Sequence, residues 1–460
     1  MCVMAAMVRD RVISPVELVE LHLRQIAEQN PRLNAFVTVM ESDARAAAKK
    51  AEGAVAKGGP LGLLHGVPVT VKDSFDMAGL PTHCGSRFRA GHKASQDAAA
   101  VARLRAAGAI ILGRTNTPEL LSNYETDNYL TGRTNNPWNL DRTPGGSSGG
   151  EAAAIAAFCS AGGIGSDGGG SIRIPAHFCG IAGLKPTPGR IPATGHFPAM
   201  TNPIGLLSVA GPLARSAEDL RLLFAALAGY DSQDPFSAPV PLQPPAAGTP
   251  RVGIMEQFYD VPVEPEVRAT VLLAAQALQN LGVPAESFAP QGIERAPNLW
   301  WFFFGQLPAR LTQQAIQGRE ADAHWTSTEF LTGALEQPEP TAELVLLNLA
   351  KRDRMRASLL RQMEEYPVLL MPPCGVTAFP HRSRNWKVGE AEISMFQAMM
   401  PATPFNLLGL PAVTIPFAVS REGLPIGVQL VGRPFEEELI LDLAFRLETA
   451  RGPFHGPPGF

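Results

Sequence analysis

Thr143-Pro144-Gly145-Gly146-Ser147-Ser148-Gly149-Gly150 and then Gly163-Ile164-Gly165-Ser166-Asp167-Gly168-Gly169-Gly170-Ser171-Ile172-Arg173-Ile174-Pro175 enclose a helix of small residues predicted over Glu151 to Cys159. A flexible Gly/Ser linker would lie between polar segments. These runs instead flank an alanine-rich helix and lead into Ile172, Ile174 and Ile181, so rigid, buried, glycine-dense backbone is expected. Two familiar patterns match and fail. Gly163-x-Gly165-x-x-Gly168 fits the dinucleotide fingerprint, which requires a following helix and an acid about 20 residues on. Ser171-Ile172-Arg173-Ile174-Pro175 is not expected to open a helix, and no Asp or Glu occurs between Asp167 and Glu218. Gly146-x-Ser148-x-Gly150 fits the nucleophile elbow, which must cap a strand; the polar run Asn139 to Pro144 is no strand.

Working outward, Ser14-Pro15-Val16-Glu17 predicts a capped helix that ends at Asn30-Pro31. Val67 to Val71 alternates as a strand and delivers Lys72 at its end. Helices are expected over Ser42 to Val55, Asp97 to Ala107, from Ser216, over Glu264 to Leu281 and near Glu436 to Glu448. Strands are expected at Ala109 to Leu112, Arg251 to Met255, Val368 to Met371, Ala412 to Phe417 and Ile426 to Val431, the last two joined through Arg421-Glu422-Gly423. This alternation reads as α/β with a largely parallel sheet. Asp231 to Pro250, with six prolines in twenty residues, reads as a connector, and Gln291 to Glu364 as a helical insertion.

The chain has 460 residues, of which 45% are hydrophobic, enough for a sizeable core. A net charge of −4 gives no basic excess for nucleic acid. Five scattered cysteines without C-x-x-C spacing argue against a disulfide framework or structural zinc and fit a reducing, cytoplasmic setting. No signal peptide is read at the start. The longest uncharged stretch, Ile393 to Ser420, holds four prolines, so no membrane span is expected.

Chemistry concentrates in the glycine runs. Gly168, Gly169, Gly170 and Ser171 present consecutive N–H groups that could converge on an anion. A serine there needs a base. His177 is close in sequence but pairs with no acid and reads as a structural histidine. Lys72 is open to two readings, a surface lysine at a strand end or a desolvated lysine whose neutral amine is a base.

The two runs resemble the amidase signature family. The likeness extends through Leu64 to Asp73, Gly113 to Glu119, Asn136 to Asn139, Gly180 to Thr187, Asn406 to Ala412 and Gly427 to Gly432. It covers residues 14–230 and 366–450 strongly, and 235–365 little. The resemblance implies a Ser–Ser–Lys triad: Ser171 as nucleophile, Ser147, behind a cis Gly146–Ser147 peptide, as relay, and Lys72 as base. It also implies an oxyanion hole at Gly168, Gly169, Gly170 and Ser171, with Asp167 and Arg173 bracing the loop. The expected fold is a single large α/β/α domain over residues 1–460, with a mixed, mostly parallel sheet of roughly eleven strands; residues 235–365 would be a mainly helical cover of the substrate pocket. The expected partner is a small-molecule amide, with no cofactor, metal, nucleic acid or membrane span; a homodimer is left open.

Two activities compete: a stand-alone amide hydrolase and the glutamine-hydrolysing subunit of a tRNA-dependent amidotransferase. Glutamine-hydrolysing members use an Asp seven residues before the Asn of the Asn-Leu-x-Gly-Leu-Pro run; here, before Asn406, that position holds Met399. No tyrosine lies between Asp260 and Glu365 to match their substrate-binding Tyr, although Arg352 could supply their arginine. Leu299-Trp300-Trp301-Phe302-Phe303-Phe304 reads as core or as an apolar substrate wall. Together these favour a neutral, apolar acyl or aryl amide. A nucleotide-binding protein is disfavoured, because the ribose-binding acid and the P-loop lysine are missing.

Overall fold

The computed structural model describes residues 1–244 and 248–460. Its strands are β1 Phe36–Val39, β2 Pro68–Lys72, β3 Ile110–Thr115, β4 Gly162–Asp167, β5 Ala182–Lys185, β6 Val209–Ala214, β7 Val252–Ile254, β8 Ala285–Ser287, β9 Val368–Met371, β10 Asn385–Val388, β11 Ala391–Ser394, β12 Ala412–Val419 and β13 Pro425–Gly432. Eleven form one sheet in the order β1-β3-β2-β4-β6-β5-β12-β13-β9-β7-β8, and β10 pairs with β11 alone.

Helices cover both faces of the sheet, because successive residues of a buried strand point to opposite sides. In β3, Ile111 joins one apolar cluster with Leu220, Leu278 and Leu443 of the helices Ala217–Leu227, Pro265–Asn280 and Glu437–Arg451. Ile110 and Leu112 join another with Val19, Ala48 and Ala153 of the helices Pro15–Leu33, Glu41–Lys57 and Gly149–Ala156. In β9, Leu370 likewise faces the first layer, whereas Leu369 and Met371 face a third cluster containing Trp300 and Leu359.

The sheet is mixed, but it is not mostly parallel. Six of its ten joins are antiparallel and four are parallel. The parallel joins lie at β3-β2-β4 and β9-β7-β8, and the run from β4 to β9 between them is antiparallel. The strands that make this difference, β5 (Ala182-Gly-Leu-Lys) and β6 (Val209-Ala-Gly-Pro-Leu-Ala), are short and built of small residues, so they carry little β-branched or alternating signal.

A second correction concerns the backbone after Ser171. A helix, Arg173–Cys179, does open there and includes Pro175. Proline is tolerated in a first turn, where its missing N–H would have had no intrahelical partner. The predicted Ser14 capping box and the Ser216 cap are present. The expected connector 231–250 contains no helix or strand among its described residues, and residues 245–247 lie outside them. Between 251 and 365 the chain adds β7 and β8 to the sheet edge and six helical segments from Ala296 to Gln362.

Candidate active site

β2 is buried throughout between β3 and β4. Val69 and Val71 face the first apolar layer, so Thr70 and Lys72 face the other side. There Lys72 Nζ lies 2.7 Å from Ser147 Oγ and 3.0 Å from Ser166 Oγ. The lysine is fully buried and meets hydroxyls rather than a carboxylate. Burial pushes its pKa down to about 7, against the weaker pull of Asp167 and Glu151. Of the two readings of Lys72, burial excludes the surface lysine.

Beside it, Glu151 accepts hydrogen bonds from Thr70 Oγ1 and Thr115 Oγ1 at 2.5 and 2.6 Å, and burial pushes its pKa up to about 7. Glycine in β4 permits this approach: a Cβ on Gly163 would stand 2.1 Å from Glu151 Oε1. Two of the glycines that imitate a dinucleotide fingerprint, Gly163 and Gly165, therefore let the Gly149–Ala156 helix and its preceding Ser148 down onto the sheet. Gly146–Ser147 is a cis peptide, as expected. Ser148 is fully buried, with Oγ against the Ser166 carbonyl at 3.3 Å, and borders neither cavity described below.

After β4 the chain wraps around the Asp167 carboxylate. Oδ1 accepts from the Gly170 N–H at 2.7 Å and Oδ2 from the Ile172 N–H at 3.1 Å. Arg173 closes a bidentate pair with both oxygens at 3.0 Å, and both side chains are fully buried. Burial alone would raise the Asp167 pKa; the charge and hydrogen bonds of Arg173 outweigh it and hold the carboxyl well below the usual range. Asn406 Nδ2 donates to Asp167 Oδ1 at 2.9 Å and its Oδ1 accepts from Arg173 at 2.5 Å. Arg173 also reaches the Ala402 carbonyl and Gln429 Oε1.

This geometry corrects the expected set of oxyanion donors, because the Gly170 N–H is already committed to Asp167. The N–H groups of Gly168, Gly169 and Ser171 have no hydrogen-bond partner among the described residues. The carbonyls of the same turn are tied from outside: Trp300 Nε1–H donates to Gly168 O at 2.7 Å and Tyr124 Oη–H to Gly169 O at 2.8 Å.

Ser171 lies on the rim of two cavities. The first, of about 270 Å³, is lined by Tyr124, Trp300, Trp301, Phe304 and Phe396 among others. The second, of about 440 Å³, carries Ser147, Ser166, His196, Phe197 and Ile204. Phe304 and Phe330 border both. The aromatic run divides its work by helical position: Phe302 and Phe303 are core, while Trp300, Trp301 and Phe304 reach the cavity. Trp300 and Phe304 stack with centroids 4.8 Å apart.

The family profile described as Amidase matches residues 17–441. The chain belongs to the amidase family. The indoleacetamide hydrolase of Bradyrhizobium diazoefficiens is 36% identical over 457 residues, covering 97% of this chain and 86% of that protein. A glutamyl-tRNA(Gln) amidotransferase subunit of Cyanothece sp. is 32% identical over 469 residues, 96% and 95% of the two chains. The solved structure of 6-aminohexanoate cyclic dimer hydrolase with its substrate superposes with a TM-score of 0.87 at 31% identity, covering 99% and 98%. The protein is an amide hydrolase, acting on carbon–nitrogen bonds.

In this amidase, Lys72, Ser147, Ser171, Asp167 and Arg173 all come together. His177 does not join them: its ring receives the Gly427 N–H and contacts the Val376 carbonyl, deep in the core. Met399 is also core, packed with Ile174 and Phe178; from its helix the residues that reach the cavity are Met395 and Phe396. Arg352 Nε donates to the Leu407 carbonyl and lines neither cavity. Sequence reasoning misses Ser166, Glu151, Asn406 and Gln429 as members of the site. For Ser166 a signal exists, two residues beyond Ile164, whose partner across β2–β4 is Val71. Among the described residues no His/Cys/Asp/Glu group is arranged to hold a metal, and no helix is long and apolar enough to cross a membrane.

Proposed function

We propose that the chain hydrolyses a neutral, apolar amide through Ser171, Ser147 and Lys72. The observation that carries this reading is a fully buried lysine with depressed basicity, 2.7 Å from a serine that borders the same cavity as Ser171. Neutral Lys72 takes a proton from Ser147 Oγ as Ser147 takes one from Ser171 Oγ, and the freed oxygen attacks the carbonyl carbon. The N–H groups of Gly168, Gly169 and Ser171 supply the donors for the oxyanion. When the tetrahedral species collapses, the C–N bond breaks and the proton returns through Ser147 to the leaving nitrogen. Water then repeats the attack on the acyl-Ser171 ester and regenerates the serine. Asp167 and Arg173 hold the turn and touch no reacting atom.

The choice of a neutral amide over glutamine rests on the cavity linings. Among the described residues their charged members are Arg89 and Glu329. Glu329 is paired with Arg384, and Arg89 lies over the Phe197 ring at 3.5 Å. A zwitterionic head group would lose its hydration against aromatic walls without equivalent partners. The relative named indoleacetamide hydrolase supports an aryl-bearing acyl group. Treatment with a fluorophosphonate should label Ser171, and Ser171→Ala should lose both label and turnover. Label on Ser148 would overturn the nucleophile, and a preference for glutamine over phenylacetamide would overturn the substrate class.

A further inference from the structure

The two cavities that meet at Ser171 are not equivalent, because the proton relay opens into one of them. Ser147 and Ser166 border the 440 Å³ cavity; neither they nor Lys72 border the 270 Å³ cavity. On the reading above, Ser147 delivers the proton that the departing nitrogen must receive, so that nitrogen has to lie within hydrogen-bond reach of Ser147 Oγ. The acyl substituent leaves the carbonyl carbon in a different direction from the nitrogen. With the carbonyl carbon at Ser171, the direction left for it is the aromatic cavity.

We infer that the aromatic cavity is the acyl site and the larger one a true amine site, so that the enzyme acts on N-substituted amides with apolar groups on both sides of the carbonyl. The sizes fit. A cavity of roughly 150 Å³ already holds a benzene ring, so 270 Å³ accepts an arylacetyl group. The amine site is larger, and Phe197, Ile204, Pro308 and Ile316 among its lining residues give it far more apolar surface than ammonia would use. Arg89 on its wall sets a further condition: the amine carries no positive charge while bound. An aniline meets it; a diamine does not.

The test is a matrix of amides on the wild-type enzyme, followed by one filled cavity at a time. Phenylacetanilide should exceed both phenylacetamide and acetanilide in kcat/KM, by roughly tenfold or more for each ring buried. A Cβ on Gly333, which borders only the aromatic cavity, meets nothing within 4 Å, so Gly333→Leu projects into open space. It should lower kcat/KM for both phenylacetyl amides and spare acetanilide. Thr312→Phe, on the larger cavity alone, should impair both anilides and spare phenylacetamide. The reverse pattern would overturn the orientation while leaving the hydrolase reading intact. Equal wild-type rates on phenylacetamide and phenylacetanilide would overturn the amine site, whether or not the variants fold. If no member of the matrix is cleaved and glutamine is, the apolar-amide reading of the proposed function has failed.

Discussion

Replacing Lys72 with Met keeps the length of the side chain and removes the amine, and its consequence for stability has a sign that depends on pH. In the folded protein burial lowers the Lys72 pKa to about 7, while the unfolded chain keeps the ordinary value of 10.5. Between these limits the unfolded state binds more protons than the folded one, so wild-type stability rises with pH across this window. The slope is about 1.4 kcal/mol per pH unit for a single group. Lys72→Met lacks this contribution. Its stability advantage should therefore be greatest near neutrality and should shrink by about 3 kcal/mol between about pH 7.5 and 9.5. Ser147 and Ser166 lose a partner in the variant, at about 1 kcal/mol each, which shifts the offset between the two proteins but not the slope. Urea unfolding of both at the two pH values, followed by tryptophan fluorescence, measures the difference. Two stability curves that run parallel with pH would show that Lys72 stays charged in the folded protein, and the neutral-base reading would fall with that result.

Three further outcomes follow from the same geometry. kcat/KM for an apolar amide should climb with pH as Lys72 loses its proton, with a midpoint near about 7; Lys72→Arg, permanently charged, should lose roughly a thousandfold or more, and a flat wild-type pH profile would contradict the assignment. Asn406→Ala removes donors to the Asp167 side chain and the Leu207 carbonyl, leaving the buried ion pair less satisfied; a loss of about 3 kcal/mol is expected in urea unfolding. Gly169→Ala would put a Cβ 2.3 Å from Trp300 Cζ2. The indole must move off the Gly168 carbonyl, so turnover should drop roughly tenfold or more even where a melting curve shows the chain folded.

Much of the site is legible in the sequence because its signals are local. Lysine at the end of an apolar strand, glycine on both sides of a small-residue helix and a serine closing a run of amides each read from a few neighbouring residues. What stays hidden depends on contacts distant in sequence. That Asp167 uses the Gly170 N–H, and so removes it from the oxyanion donors, is a matter of how a turn folds back on its own carboxylate. Asn406 and Gln429 reach Arg173 from more than two hundred residues away, and nothing in their local sequence announces a buried cation. The fold shows the same division. Long amphipathic helices and valine-rich strands are legible, whereas β5 and β6 are not, and without them the sheet reads as mostly parallel. Pro175 reads as a helix breaker because proline is judged by its missing donor, but a first turn needs no donor there.

The guanidinium of Arg173 binds one segment near residue 167 and others near 402, 406 and 429. A nascent chain emerging from the ribosome carries Lys72, Ser147 and Ser171 long before it carries Asn406 and Gln429. Until those arrive, the Asp167–Arg173 pair keeps its local contacts, including the Gly170 and Ile172 N–H groups, but lacks the side-chain oxygens of Asn406 and Gln429 that complete its shell. On the proposed assignment, the buried ion pair behind Ser171 is thus completed only once Asn406 and Gln429 have been added, which leaves a shorter nascent chain with a less firmly held nucleophile.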